Sequence, residues 1–311
     1  MPPGFTIRHA TEADRWEIAE LIYISINHWY QIHGRGQLFQ GGPHVADVFF
    51  EAYESLDPGC CIVAECNNSK RIMGSCFYHP RPLHVSLGIM AVHPNHWGSG
   101  TGKKLLDWII DFSQQEDKPL RLTQSAINLD SFSLYNKAGF VPRQAYQDMF
   151  IEVPENGLDV TSDGDACVRD GRLEDVQQLA ALEKRVSGIT REQDYEFMIA
   201  NELGYWGFSV YECSGSGELL GFLGSCAHPG CTMIGPGVSD NESVAESLLF
   251  HRLNAFAGKM AVFLIPVDAE NLVQRLYSIG ARNCELHFAQ VLGDCQPYDG
   301  INMPTFMPET G

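Results

Sequence analysis

The sequence predicts an α/β protein with mixed sheets: two tandem domains, each a mixed twisted sheet flanked by helices. Three observations carry that expectation. At 311 residues the chain is about twice the usual single-domain length. A strand–turn–helix signature, Ile7-Arg8-His9-Ala10-Thr11-Glu12-Ala13-Asp14 followed by Ile18, Ala19 and Leu21, recurs as Val168-Arg169-Asp170-Gly171-Arg172-Leu173-Glu174-Asp175 followed by Leu179, Ala180 and Leu182. The hairpin after it recurs too: Ile62-Val63-Ala64-Glu65-Cys66 and Gly74-Ser75-Cys76 are echoed by Ser209-Val210-Tyr211-Glu212-Cys213 and Gly224-Ser225-Cys226.

Each half therefore reads in the same order. A strand leads into an amphipathic helix that begins near an acidic residue, and two strands follow across a polar turn, 67–70 in the first half and 214–217 in the second. A further apolar strand, 85–92 or 232–234, runs into a helix, 102–112 or 244–256. A strand, a short helix carrying Leu-Tyr, a glycine and a last strand complete the half. These patterns divide the chain into a first domain at 1–153, a Gly/Asp/Ser-rich linker at 154–166, a second domain at 167–295 and an irregular Pro/Gly-rich strap at 296–311.

Charge narrows the partners. With 21 basic and 39 acidic residues the formal charge is −18, and no basic block interrupts it. Nucleic acid and anionic membrane are disfavoured, since both are bound by concentrated positive charge; acidity serves solubility equally well. No apolar run reaches membrane-spanning length, the first residues show no charged leader before an apolar stretch, and the expected location is the cytoplasm. Ten cysteines without ribbon spacing, Cys60, Cys61, Cys66, Cys76, Cys213 and Cys226 among them, read as buried thiols. Cys226, His228 and Cys231 are three potential zinc ligands without a fourth, and no metal is assigned.

The chemistry concentrates in Ile89-Met90-Ala91-Val92-His93-Pro94-Asn95-His96-Trp97-Gly98-Ser99-Gly100-Thr101-Gly102-Lys103-Lys104. A strand enters a loop with alternating glycines and then a helix. Such a loop offers a nest of main-chain amides at the positive end of a helix dipole, which suits phosphate. The Lys-Ser/Thr ending of a Walker loop is missing, and Leu122 and Thr123 stand where a dinucleotide fold needs an acidic residue.

Here the chain resembles the GNAT superfamily of acyl-CoA-dependent N-acyltransferases. Its loop pattern Arg/Gln-x-x-Gly-x-Gly/Ala corresponds to Trp97-Gly98-Ser99-Gly100-Thr101-Gly102, with Trp in the first position. Its downstream Asn, Leu-Tyr and Gly-Phe correspond to Asn128, Leu134-Tyr135 and Gly139-Phe140. The resemblance covers nearly all of residues 5–153 and implies acetyl-CoA, or another acyl-CoA, as co-substrate. It implies pantetheine pairing with the strand at Met90, Ala91 and Val92, pyrophosphate on Gly98, Ser99, Gly100, Thr101, Gly102 and Lys103, and Asn128 on the pantetheine arm.

The resemblance also makes Tyr135 the general acid for the departing thiolate. The glutamate that some members place five residues before the asparagine is Thr123 here, so the base falls to His84, Ser86 or His93, with His84 preferred, or to water. An alkylamine with a pKa of about 10.4 is neutral only about one part in a thousand at neutral pH, so a base or a desolvating pocket has work to do. The acceptor is expected to be a primary amine on a small molecule, amino acid derivative or peptide, walled by His28, Trp29, Tyr30 and His33. The protein is expected as a monomer or homodimer. A non-catalytic acyl-CoA sensor or scaffold is the alternative.

In the second half the resemblance continues without the loop: Asp240-Asn241-Glu242-Ser243-Val244-Ala245 replaces it, putting two carboxylates where pyrophosphate would lie.

Overall fold

A computed structural model of the chain describes residues 4–307, 309 and 310. The first repeat runs β1 (Phe5–His9), α1 (Arg15–Ile32), α2 (Asp47–Leu56), β2 (Cys61–Cys66), β3 (Ile72–Pro80), β4 (Val85–Val92), α3 (Thr101–Gln115), β5 (Leu120–Ser125), α4 (Leu129–Lys137) and β6 (Val141–Glu152). The second runs β7 (Val168–Asp170), α5 (Val176–Ser187), α6 (Glu192–Ala200), β8 (Trp206–Glu212), β9 (Leu219–His228), β10 (Cys231–Ser239), α7 (Glu242–Asn254), β11 (Met260–Pro266), α8 (Glu270–Ser278) and β12 (Arg282–Leu292), followed by β13 (Ile301–Met303). The order of elements is the same in both.

The start of each repeat shows why. Arg8 bonds both oxygens of Asp14 at 2.8 Å and Glu65 at 2.8 Å. Arg169 does the same with Asp175, at 2.8 and 2.9 Å, and with Glu212 at 2.5 Å. Asp14 also accepts the Thr11 amide, and Asp175 the Arg172 amide, so one carboxylate ties the first strand to the turn before the helix. In α1 no Gly or Pro interrupts residues 15–32, and Ile18, Ala19, Leu21, Ile22 and Ser25 are buried at helical spacing.

The chain forms two compact units whose bounds differ from those read in the sequence. One holds Met1–Pro80 with Val85–Leu120, the other Arg81–His84 with Arg121–Gly311. The first contains β1, β2, β3 and β4 as an antiparallel run in that order. Its core includes rings from α2: Phe50 and Tyr53 meet Phe77 at 6.3 and 4.8 Å.

In the second unit the strand order is β5-β12-β6-β11-β10-β9-β8-β7. β10 and β11 run parallel, while β6 is antiparallel to both β11 and β12. The last strands of the repeats have changed places: β6 lies against β11, and β12 lies between β5 and β6. This is why a cut at 154–166 does not separate the units. Met149, Ile151 and Val153 sit in one apolar cluster with Leu249 and Leu253 of α7, Phe263 of β11 and Leu276 of α8. The strap is also less irregular than expected, because β13 adds to β10 with Gly237 opposite Met303.

All ten cysteines are free; Cys61, Cys66, Cys76 and Cys226 are buried, while Cys60 and Cys213 are only half-buried. No helix is long and apolar enough to cross a membrane among the described residues.

Candidate active site

Strand β4 ends on a turn that carries the chain into α3. Gly98 and Gly100 have φ of +71° and +87°, left-handed values that side chains tolerate poorly. A Cβ on either would meet nothing within 4 Å, so the need for glycine lies in the backbone and the space around it is open. Helix α3 starts with no side-chain cap. Among the described residues the amides of Gly98, Gly100, Thr101, Gly102 and Lys103 make no hydrogen bond to protein, whereas those of Ser99 and Lys104 bond the His96 and Gly100 carbonyls. Unpaired amides at a helix start suit a phosphate group.

Two side chains trim this cradle. The Ser99 hydroxyl bonds the His96 carbonyl and lies 2.8 Å from Thr101 Oγ1. Lys103 holds both oxygens of Asp107 at 2.8 Å, so its charge is already shared with a neighbour on α3.

Trp97, the departure from the family pattern, donates its indole N–H to the Val92 carbonyl at 2.7 Å. Its ring lies 5.4 Å from that of His28, bringing the end of α1 to the loop. Of the expected acceptor residues, His28 is the one that touches the loop through a ring contact. Trp29, Tyr30 and His33 group together: Trp29 stacks on His33 at 4.1 Å and meets Tyr30 at 5.2 Å.

Strand register sorts the expected pantetheine contacts. The His93 amide bonds the Met73 carbonyl at 2.9 Å, and Ala91 stands opposite Ser75. Main-chain groups alternate along an antiparallel strand, so Ala91 and His93 aim theirs at β3 while Met90 and Val92 aim theirs away. Met90 and Val92 have the orientation that strand addition requires, and Ala91 does not.

A cleft of about 310 Å³ beside the loop is lined by Glu17, Glu20, Arg71, His93 and His96 among others. Arg71 bridges Glu17 at 2.6 Å and Glu20 at 3.3 Å. Sequence reasoning missed this trio; two glutamates three apart on a helix face were the available signal. Burial, with His96 next to it, pushes the His93 imidazole below its usual value. His93 Nδ1 accepts the Asn95 amide at 3.2 Å, which leaves its neutral ring with the proton on Nε2.

The remaining expected residues belong to the second unit. Asn128 is the N-cap of α4, its side-chain oxygen accepting the Ser131 amide at 3.1 Å. Tyr135 is buried in α4 with its ring 5.7 Å from Phe140. His84, preferred as base from sequence, lies in the turn 81–84 with none of its surface exposed. A ring sealed from solvent is badly placed to meet an incoming amine. Ser86 on β4 is equally buried.

In the second repeat the counterpart of the loop is filled from within. Asn241 caps α7 by accepting the Val244 amide at 3.1 Å, Glu242 accepts the Leu272 amide at 2.6 Å, and Asp240 pairs with Arg185. Cys226, His228 and Cys231 are not among the described residues whose ligand atoms cluster, and His228 Nδ1 takes the Gly230 amide at 3.0 Å.

Fold and loop together define an α/β protein with unpaired main-chain amides at the start of α3. The comparisons name the class. Residues 25–140 match the Acetyltransferase (GNAT) family model. That family transfers an acyl group from acyl-CoA to an amine. No curated protein matches the sequence. In fold, the chain is similar over 99% of its length to a candidate acetyltransferase from Pyrococcus horikoshii, 96% of which is covered (TM-score 0.73, 18% identity). It is similar over 95% of its length to a GCN5-related N-acetyltransferase from Sphaerobacter thermophilus, covered to 97% (TM-score 0.62, 17% identity). A tandem GNAT protein from the clavulanic acid biosynthesis pathway is matched over 94% of this chain and 100% of its own (TM-score 0.60, 12% identity). The chain thus shares the overall fold of these proteins, one of which is a tandem GNAT protein.

Proposed function

We propose that this chain is an N-acetyltransferase that carries the acetyl group of acetyl-CoA to a primary amine of a small molecule, amino acid derivative or peptide. The working loop is that of the first repeat. The observation that supports this reading best is the uncapped start of α3, where the amides of Gly98, Gly100, Thr101, Gly102 and Lys103 bond no main-chain carbonyl and the space beside Gly98 and Gly100 is open. Their counterparts in the second repeat are capped or crowded by Asn241 and Glu242.

Pyrophosphate lies on those amides, and the pantetheine adds to β4 through Met90 and Val92. The acceptor amine enters past His28 and attacks the thioester carbonyl directly, gaining rate from orientation in a ternary complex. The C–S bond breaks as the C–N bond forms, and Tyr135 gives its phenolic proton to the sulfur. With His84 sealed and the lone pair of His93 engaged by Asn95, the amine's proton leaves through water.

The test uses full-length protein, acetyl-CoA and a panel of primary amines, with thiol release as readout and calorimetry for cofactor affinity. Turnover is expected with at least one amine, and Tyr135→Phe is expected to lower kcat at least about 100-fold with acetyl-CoA affinity unchanged. Absence of acetyl-CoA binding overturns the reading. Tight binding without turnover on any amine replaces it with the sensor.

A further inference from the structure

The exchange of final strands assembles a group of side chains that neither repeat holds alone. Asp148 on β6 and Glu285 on β12 stand directly opposite in the antiparallel ladder. His287, two residues beyond Glu285, shares their face of the sheet. One donor atom from each lies within 4.8 Å of the others, and all three residues are buried, 4%, 8% and 3% exposed. His287 Nδ1 is 3.5 Å from Asp148 Oδ2. The other oxygen of Asp148, Oδ1, is buried and has no hydrogen-bond partner among the described residues. From β5, the Ser125 hydroxyl bonds Glu285 Oε2 at 2.5 Å.

We propose that Asp148, Glu285 and His287 bind a divalent transition-metal ion of the zinc type. Two carboxylates facing each other away from water repel, and an unbonded buried oxygen is costly. A doubly charged ion answers both at once. One imidazole and two carboxylates without a thiolate suit zinc better than Cu(I), and magnesium and calcium favour all-oxygen sets.

The geometry is close to what zinc needs. Bonds of about 2.0–2.2 Å put tetrahedral donors about 3.3–3.6 Å apart, which the His287–Asp148 pair already matches; the remaining donors close by about an ångström through side-chain rotation. Three protein ligands leave one position for water. Ser125 holds the Glu285 carboxylate from behind, as outer partners of metal ligands do. Cys284, whose thiol bonds the main-chain oxygen of Asp148 at 3.1 Å, is outside the group of three.

The test strips full-length protein with a chelator, adds zinc sulfate, and measures bound metal after desalting together with calorimetric affinity. One equivalent is expected to remain, with a higher thermal midpoint. Asp148→Asn and His287→Gln are each expected to weaken zinc binding at least about 100-fold, and Ser125→Ala about tenfold. Cobalt in place of zinc is expected to give a visible spectrum without a thiolate charge-transfer band. Wild-type protein that retains no zinc overturns the proposal. So does a cobalt spectrum with the thiolate band, which moves the metal to cysteine without relying on any variant, and so does zinc affinity unchanged in folded Asp148→Asn.

Discussion

Ending the chain at Val153 is the perturbation that bears most directly on how this protein is built. In the sequence that cut falls between two domains; in the structure it deprives β6 of both strands it pairs with, β11 and β12. Tyr146, Met149, Ile151 and Val153 are all 0–4% exposed in the full chain and would face water. Burial of one such side chain contributes about 1.5–3 kcal/mol, so the four together represent about 6–12 kcal/mol. A domain's whole net stability is about 5–15 kcal/mol. The fragment 1–153 is therefore expected to be unfolded or aggregated. Urea denaturation followed by circular dichroism, with size-exclusion chromatography, reads this directly, and adding a separately produced 154–311 fragment is expected to restore a cooperative transition. A monomeric 1–153 that unfolds cooperatively on its own, with a midpoint near that of the full chain, would refute the reasoning.

Two further outcomes follow from named contacts. Arg8 holds the Asp14 carboxyl down to about 2 through its side-chain hydrogen bonds. Because the folded value is lowered, the stabilisation is fully present above about pH 4 and is lost as the pH falls toward 2; it amounts to about 1–2 kcal/mol after screening, and urea midpoints against pH should show a shallower acid limb in Arg8→Met. Arg191 and Glu183 form a buried ion pair in which Glu183 also accepts the Tyr195 hydroxyl. Arg191→Met leaves that carboxylate uncompensated, at a cost of about 3–5 kcal/mol, and calorimetry should record a fall in Tm of about 10 °C; a fall under about 3 °C would mean the pair contributes little.

How much could be read in advance varied with the range of the interaction. Arg8 with Asp14, and Arg169 with Asp175, were visible as a repeated word because partner and cap lie within seven residues. The glycines at 98 and 100 were visible for a different reason: positive φ leaves few other residues eligible. His84 misled, since a histidine in a turn carries no sign of whether its ring is sealed. The contact of His28 with Trp97 and the cleft of Glu17, Glu20 and Arg71 join residues from separate elements, which no local period announces.

Alternating and helical hydrophobicity, turn residues and caps act over a few positions, so the amino-acid order alone determined the two repeats, their elements and the amide cradle before α3. Which strand lies beside which is decided by pairing between segments more than a hundred residues apart, where many partners satisfy the same local pattern. Only burial of Met149, Ile151 and Val153 against α7, β11 and α8 selects one of them. That choice sets β6 between β11 and β12 and brings Asp148 to Glu285 and His287.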